Sequence, residues 1–359
     1  VLLTEPQSTN LITQSNDFSH SSWLKVGSSV VGGFVSPDGG NNAYKLVEDT
    51  SNGVHRLSNT AAITQATDHS VSIIAKKGER KYISFGDRYN STNGSYAQFN
   101  LETGLVESTN AIFTAGVFSV SNAKITELSN GYYLCSATFN SDRAGVVMGI
   151  AISDAPFVGG NLDTNTYQGD GVSGLYIYGA QLEELSYSTS YIPTYGAVRT
   201  RLQDTVKGAG TSSDFNSAEG VLFAEISALS DDLTQRFISL SDGTTSNRLV
   251  LGIDNVSNRI ISFARVGGVL SFDIKETVSN IQSYNKIAIK WKENDFALWC
   301  NGVELGVDTS GFTFSANTLS NLNFSDSDGT TEIFYGKTSQ VQVFKTALSD
   351  AELLTLTTI

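Results

Sequence analysis

Positive charge is scarce in this chain. Lysine and arginine number 23 against 36 aspartates and glutamates, a formal net charge of −13 over 359 residues. Binding a phosphate backbone depends on clustered cations that release counterions, so this balance argues against a nucleic-acid partner. A neutral glycan, or a uronate polymer meeting a local basic patch, stays open. Cysteine is scarcer still: Cys135 and Cys300 are the pair present, each inside an apolar run, and they read as buried free thiols rather than a disulfide framework. No run approaches the ~18 to 20 apolar residues of a membrane helix, and no signal-type segment stands at the start, so the chain is expected to be water-soluble and not membrane-embedded. The three histidines, His20, His55 and His69, stand in no H-E-x-x-H or comparable arrangement. A G-x-S-x-G elbow, a phosphate loop and a dinucleotide fingerprint are missing as well.

Strongly helical runs of Ala, Glu, Lys and Leu are almost absent too, and what replaces them is glycine (33 residues) and Tyr with Phe (14 and 19). That is an all-β composition. The length exceeds what one hydrophobic core normally serves, so two domains are expected. Turn dipeptides recur, among them Asp38-Gly39, Asn52-Gly53, Asn93-Gly94, Asn130-Gly131, Asp242-Gly243, Asn301-Gly302 and Asp328-Gly329, and each tolerates the positive φ of a tight hairpin. Around Asn301-Gly302, Ile287, Ile289 and Trp291 alternate with lysines, and Phe296, Leu298 and Cys300 alternate with Ala297 and Trp299. Period two of this kind gives each strand one buried face. Between Ile192-Pro193 and Phe215 the pattern breaks into Thr, Arg, Gly, Ser and Asp. The expected organisation is therefore two tandem antiparallel β-sandwiches over 1–195 and 216–359, joined by a linker at 196–215.

The chain closes with a strand led by Gly336 and ending at Phe344, followed by Ala347-Leu348-Ser349-Asp350-Ala351-Glu352, where Ser349 and Glu352 stand at capping-box spacing. This ending resembles laminin-G/concanavalin-A-like sandwich domains. In the first half, Asn10-Leu11-Ile12, Asp17-Phe18, Trp23 and the run Tyr176 to Glu183 resemble the opening and closing segments of jelly-roll carbohydrate-binding modules. The tandem, with Tyr191-Ile192-Pro193-Thr194, is similar to modules of phage tail and tail-fibre proteins and of secreted bacterial surface proteins. The resemblance implies a glycan-binding, lectin-like role in attachment to a cell-surface or environmental polysaccharide, an extracellular or virion location, and a larger, trimeric or otherwise repeated assembly. The abrupt start at Val1, without Met, fits a piece of something longer. No cofactor is required, but the jelly-roll resemblance implies a structural calcium, for which Asp17, Gln181 and Glu183 would be the oxygen donors. Gly179-Ala180 stands where that family carries an acidic pair.

Sugar sites combine flat apolar faces with polar groups on rigid strands. The candidates in the first half are His55, Arg56, Arg80, Tyr82, Asp87, Arg88, Tyr96, Gln98 and Tyr132. Arg80, Tyr82, Arg88 and Tyr89 belong to one predicted hairpin, with Tyr82 opposite to Ile83 and Phe85 and so pointing out of the core. Two arginines beside tyrosine would suit carboxylate or sulfate groups. Trp23 and Trp291 are expected in the cores, whereas Trp299, opposite to Phe296 and Leu298, is a candidate stacking platform or inter-domain contact. The acidic turns Asp242-Gly243, Asp254-Asn255 and Asp326-Ser327-Asp328-Gly329 read as hairpin turns, with rim calcium sites the alternative. The principal reading is non-catalytic glycan recognition. The enzymatic alternative is a jelly-roll lyase eliminating on a uronate polymer such as alginate, with Arg88 or Gln98 neutralising the carboxylate, His55 as base and Tyr82 or Tyr132 as acid. The carboxylates single out no glycosidase pair. A structural spacer is the third reading.

Overall fold

The computed structural model describes residues 1–90, 92–113 and 118–359, the side chain of Tyr89 excepted. Apart from one helix and a 3₁₀ turn, its regular elements are strands. They form two antiparallel sandwiches, as the alternating patterns require.

The first sandwich comprises Gln7–Leu202. One of its sheets runs in the order Leu105–Ile112, Asn93–Asn100, Tyr82–Asn90, Gly145–Ser153, His55–Ala62 and Leu24–Val26. The other runs Phe118–Glu127, Tyr133–Ser141, Asp68–Lys76, Gly174–Glu183, Ala43–Glu48 and Ser28–Phe34. Alternate residues of both sheets meet in one core, including Ile83, Phe85, Phe99 and Ile150 from the first and Val71, Ile73, Cys135 and Ile177 from the second. Phe85 and Phe99 stack at 5.1 Å between centroids, and burying each ring contributes roughly 1.5 to 3 kcal/mol. Trp23 is buried as expected, its indole N–H donating to the Gln14 carbonyl at 2.8 Å.

The second sandwich comprises Gln203–Ile359 together with Val1–Pro6. Its sheets run Leu2–Thr4, Gly336–Phe344, Glu219–Ala228, Asn285–Lys292, Phe296–Cys300, Val303–Asp308, and Val269–Thr277, Arg259–Val266, Arg248–Ile253, Arg236–Ser241, Asn321–Asn323. Their facing residues, Trp291 and Leu298 among them, form a second core. The sequence boundary at 195 assigns the opening residues to the first sandwich. Instead Leu2–Thr4 pairs with Gly336–Thr338, and the Thr4 hydroxyl donates to the Phe334 carbonyl at 2.7 Å. The stretch 196–215 is also ordered structure: Arg199–Arg201 pairs with Ser8–Asn10, and Val206 and Phe215 pack on the second core. Period-two reasoning cannot locate such strands, because three residues carry too little pattern. At Ser349 the expected capping box forms, the Glu352 carboxylate accepting from the Ser349 amide at 2.8 Å and hydroxyl at 2.7 Å. It opens the helix Asp350–Thr357.

Candidate functional site

The sheet containing Tyr82–Asn90 turns Ile83 and Phe85 to the core, so Ser84, Gly86 and Arg88 face the other way. Register places Ser84 beside Ala151 and Gly86 beside Gly149, with Ser58 opposite Gly149 and Arg56 opposite Ala151 on the next strand. Small residues at the centre of a pleated face leave a trough. Tyr96 and Gln98 border it on the Asn93–Asn100 strand, Gln98 lying opposite Ser84. Five candidate ligand residues, Arg56, Tyr82, Arg88, Tyr96 and Gln98, therefore share one face.

This face is not open, which sequence reasoning did not anticipate. The loop 154–166 lies over it. Phe157 meets the Tyr96 ring edge-on at 5.1 Å, and the Phe157 amide donates to Gln98 Oε1 at 2.7 Å. Leu162 fills the centre: a Cβ on Gly149 would stand 2.7 Å from its Cδ1. The Asn110 side chain donates to the Gly160 carbonyl at 2.8 Å, and that of Asn161 to the Asn90 carbonyl at 2.6 Å. Tyr82, Tyr96 and Gln98, expected to be accessible, are 8%, 1% and 0% exposed.

Charge anchors the same loop. Arg56 Nε donates to Asp163 Oδ1 at 2.9 Å and Arg88 Nε to Asp163 Oδ2 at 2.6 Å. Arg56 also donates to Ser58 Oγ. Burial, outweighing the pull of Asp163 and joined by repulsion from Arg88, lowers the Arg56 guanidinium from its ordinary value. Two cations share one carboxylate here.

His55 and Arg80 lie elsewhere, at one end of the sandwich around Tyr167. His55 is fully buried, its Nδ1 2.5 Å from the Gly27 carbonyl and its ring 4.5 Å from that of Tyr167. Arg80 binds buried Glu48 through Nε at 2.7 Å and Nη2 at 2.5 Å, and its guanidinium lies over the Tyr167 ring. The Tyr167 hydroxyl donates to the same carboxylate at 2.6 Å. Burial alone would raise Glu48, but hydrogen bonds from Arg80, Tyr167 and the Asp170 amide outweigh it and hold the carboxyl below its usual value. In these contacts His55 and Arg80 are paired within the protein. Tyr132 immediately precedes the Tyr133–Ser141 strand of the opposite sheet and is buried, with its hydroxyl donating to the Val35 carbonyl at 2.7 Å. The residues suggested for elimination chemistry, His55, Tyr82, Arg88, Gln98 and Tyr132, thus fall in three separate places. Asp87 points into the core on the strand face opposite Arg88, 1% exposed, with Ser141 and the Val147 amide as its polar neighbours. The Tyr89 side chain lies outside the described residues.

Trp299 takes the expected face but not the expected exposure. At 7% exposed it packs with Val221, Phe223 and Leu353 under the terminal helix. The calcium donors do not fit a metal site. Glu183 accepts from Ser8 Oγ at 2.6 Å and the Thr189 amide at 3.0 Å, while Gln181 takes the Ile192 amide at 2.7 Å and donates to the Thr189 carbonyl at 3.2 Å. Asp17 is bound instead to Ser19 and Tyr44. Gly179, at φ +62°, forms the bulge that lets the Tyr191 ring pass within 3.0 Å of where a Cβ would stand, so an acidic pair has no room there. Among the described residues no group of three or more His, Cys, Asp or Glu could hold a metal. The acidic turns behave likewise: Asp242 accepts from Thr244 and Asn247, Asp254 from Gln235 and Arg259, Asp328 from Thr330, and Asp326 pairs with Arg248 at 2.9 Å.

No family model matches the chain, and no curated protein matches it either. Among solved structures it is similar to a heptameric SAP-like pentraxin from Limulus polyphemus, at 14% identity, TM-score 0.34, over 42% of this chain and 73% of that one. It is similar too to the LG4-5 domains of the mouse laminin alpha1 chain, at 9% identity, TM-score 0.29, over 84% and 90%, and to a homodimeric agglutinin from chicken liver, at 9%, 0.27, over 39% and 99%. Likeness at this level carries no argument about what the chain binds. No helix is long and apolar enough to cross a membrane among the described residues.

Asp163, Phe157 and Leu162 are the residues that sequence reasoning missed. Asn161-Leu162-Asp163-Thr164-Asn165 has loop chemistry without periodicity, so nothing local assigns it to a sheet face. One usable signal was present: Ser84-x-Gly86 and Gly149-x-Ala151 put small residues at alternate positions of two strands, the mark of a face that something must cover.

Proposed function

We propose that the first sandwich recognises glycans without acting chemically on them, and that the chain serves this role in a repeated adhesive assembly of phage-tail or secreted type. The observation that carries the reading is the trough of small residues with Arg56, Arg88, Tyr96 and Gln98 held together on one rigid sheet beneath the loop 154–166. Rigid strands fix such groups at low entropic cost, guanidinium groups match sugar carboxylates or sulfates, and aromatic rings match C–H faces. A single site of this size would bind weakly, and repeated display would raise avidity by about 10²- to 10⁴-fold.

The test is affinity electrophoresis of the full chain in gels containing algal and bacterial polysaccharides, with ultraviolet absorbance followed for unsaturated uronates. Retardation without new absorbance, abolished by Arg88→Ala with little change in melting temperature, is the expected result. New absorbance would turn the reading to a lyase. Free migration in every gel would leave a spacer.

A further inference from the structure

We propose that the Arg56–Arg88 pair is a subsite for a carboxylate or sulfate group of a polyanionic glycan, and that Asp163 occupies this subsite as an internal surrogate which such a ligand displaces. The proposal rests on the glycan-binding reading of the first sandwich.

Four observations lead to it. First, arginine belongs to the residues least often buried without full pairing, yet Arg56 is 4% exposed and shares a single carboxylate with Arg88. The cluster keeps one positive charge in excess. Second, each oxygen of Asp163 receives one Nε–H, and the terminal nitrogens of Arg88, whose side chain is 27% exposed, donate no hydrogen bond among the described residues. A guanidinium is best satisfied by a planar anion accepting two parallel bonds, and that geometry is unused here. Third, the Ser84 hydroxyl on the trough floor is buried without a partner among the described residues, a polar group that a sugar hydroxyl could satisfy. Fourth, the loop bearing Asp163 has internal bracing of its own beside its bonds to the sheet. The Asn161 and Asp163 amides bond within it to Thr164 Oγ1 and Asn161 Oδ1, and Asn165 Nδ2 binds the Asn161 and Gly159 carbonyls at 2.8 and 3.0 Å. Leaving the trough as a unit, the loop gives up the two Asp163 ion pairs, the bonds from Asn110 to Gly160, from Asn161 to Asn90 and from Phe157 to Gln98, and the packing of Phe157 and Leu162, in exchange for the contacts of a sugar chain. An aspartate carboxylate and a uronate carboxylate present the same two oxygens, so one replaces the other without rearranging the arginines. With a net charge of −13, the chain as a whole repels polyanions, which makes any affinity for them a local property.

The experiment compares the full chain with Asp163→Asn, which keeps shape and removes the competing charge. The probes are polygalacturonate for carboxylate, dextran sulfate for sulfate and plain dextran as the neutral control. Asp273→Asn in the second sandwich is the charge-matched control. The expected result is that Asp163→Asn binds one polyanion about tenfold more tightly than wild type, the order of gain from freeing a charge-assisted pair, while Asp273→Asn does not. Adding Arg88→Gln should erase the gain. Which polyanion responds assigns carboxylate or sulfate. Unchanged or weaker binding of both polyanions by a folded Asp163→Asn chain overturns the proposal. Should Asp163→Asn fail to fold, hydrogen exchange in wild type decides: polyanion must accelerate exchange of the Phe157 amide, which bonds to Gln98 on the sheet, and its undiminished protection in the bound state overturns the proposal. Tight binding of dextran alone would sink the surrogate while sparing glycan recognition. Binding of none of the three by any variant would overturn the surrogate proposal, whereas the wider glycan-binding reading falls only if the polysaccharide panel also gives free migration in every gel.

Discussion

The two sandwiches cover their outer sheet faces in opposite ways. In the second, the face carrying Val221, Phe223, Ala288, Ala297 and Trp299 is sealed by the apolar side of the terminal helix through Leu353. Its other outer face carries the buried Phe237, Val250 and Ile261 with Phe263 packed against them, and even the Arg248–Asp326 pair there has its guanidinium over the Phe263 ring. In the first, the covered face is a trough with arginines, tyrosine and glutamine, and the covering loop is held there by the Asp163 ion pairs and by polar bonds to Gln98, Asn110 and Asn90 as well as by Phe157 and Leu162. Apolar contact is non-directional and has no competitor in water, so it makes a permanent seam. A charge-anchored loop has natural competitors in other anions. The difference teaches where to look for recognition: in the sandwich whose surface is satisfied by polar contacts that a ligand can reproduce.

The cores sharpen the same contrast, and the largest expected effect lies in the second. Trp291 is fully buried there with its indole N–H near the Asn216 carbonyl. Trp291→Ala should destabilise the second sandwich by about 3 to 5 kcal/mol. Calorimetry that resolves the two sandwiches should find its transition lowered and that of the first untouched; a fall shared by both would merge the two cores into one cooperative unit.

A smaller effect of opposite sign is expected in the first sandwich. Burial pushes the Asp87 carboxyl up to about 6, only partly offset by Ser141 and the Val147 amide. Because the folded value lies above the unfolded one, the folded state holds the proton more tightly. The stability this contributes is complete below about pH 4 and lost as pH rises to the folded value near 6. Asp87→Asn should therefore raise stability at pH 8 by about 1 to 3 kcal/mol and leave it nearly unchanged at pH 4. Denaturant melts at the two pH values check this, and equal effects at both would show that proton binding is not the cause.

The smallest expected effect returns to the second sandwich. Removing the Ser349 hydroxyl from Glu352 by Ser349→Ala should cost about 1 kcal/mol. If the helix seals Trp299 as described, the loss should appear together with raised exposure of tryptophan fluorescence to a soluble quencher. A quencher response without any shift in melting would separate the seal from the fold.

Much of this architecture was legible in one dimension. Alternation at Ile287–Trp291 and Ile83–Phe85 gives inner and outer faces directly, since a strand sends successive side chains to opposite sides. Tyr82 was thereby placed on the correct face, and Ser349 with Glu352 marked the helix start at capping-box spacing. Exposure was not legible. Tyr96, Gln98 and Trp299 all stand on outer faces and are all buried, because what covers them, the loop 154–166 and the helix Asp350–Thr357, comes from distant or aperiodic sequence.

Strand period, turn chemistry and the acidic balance belong to the sequence by itself, for they depend on neighbours a few residues apart and on sums over the chain. The tertiary structure alone decided that Leu2–Thr4 joins the second sandwich, that Asp163 meets Arg56 across 107 residues and Arg88 across 75, and that His55 and Tyr132 are kept apart from them. Those pairings are set by which backbone edges and buried charges remain unsatisfied once the sheets have formed, and that requirement exists only in the folded chain.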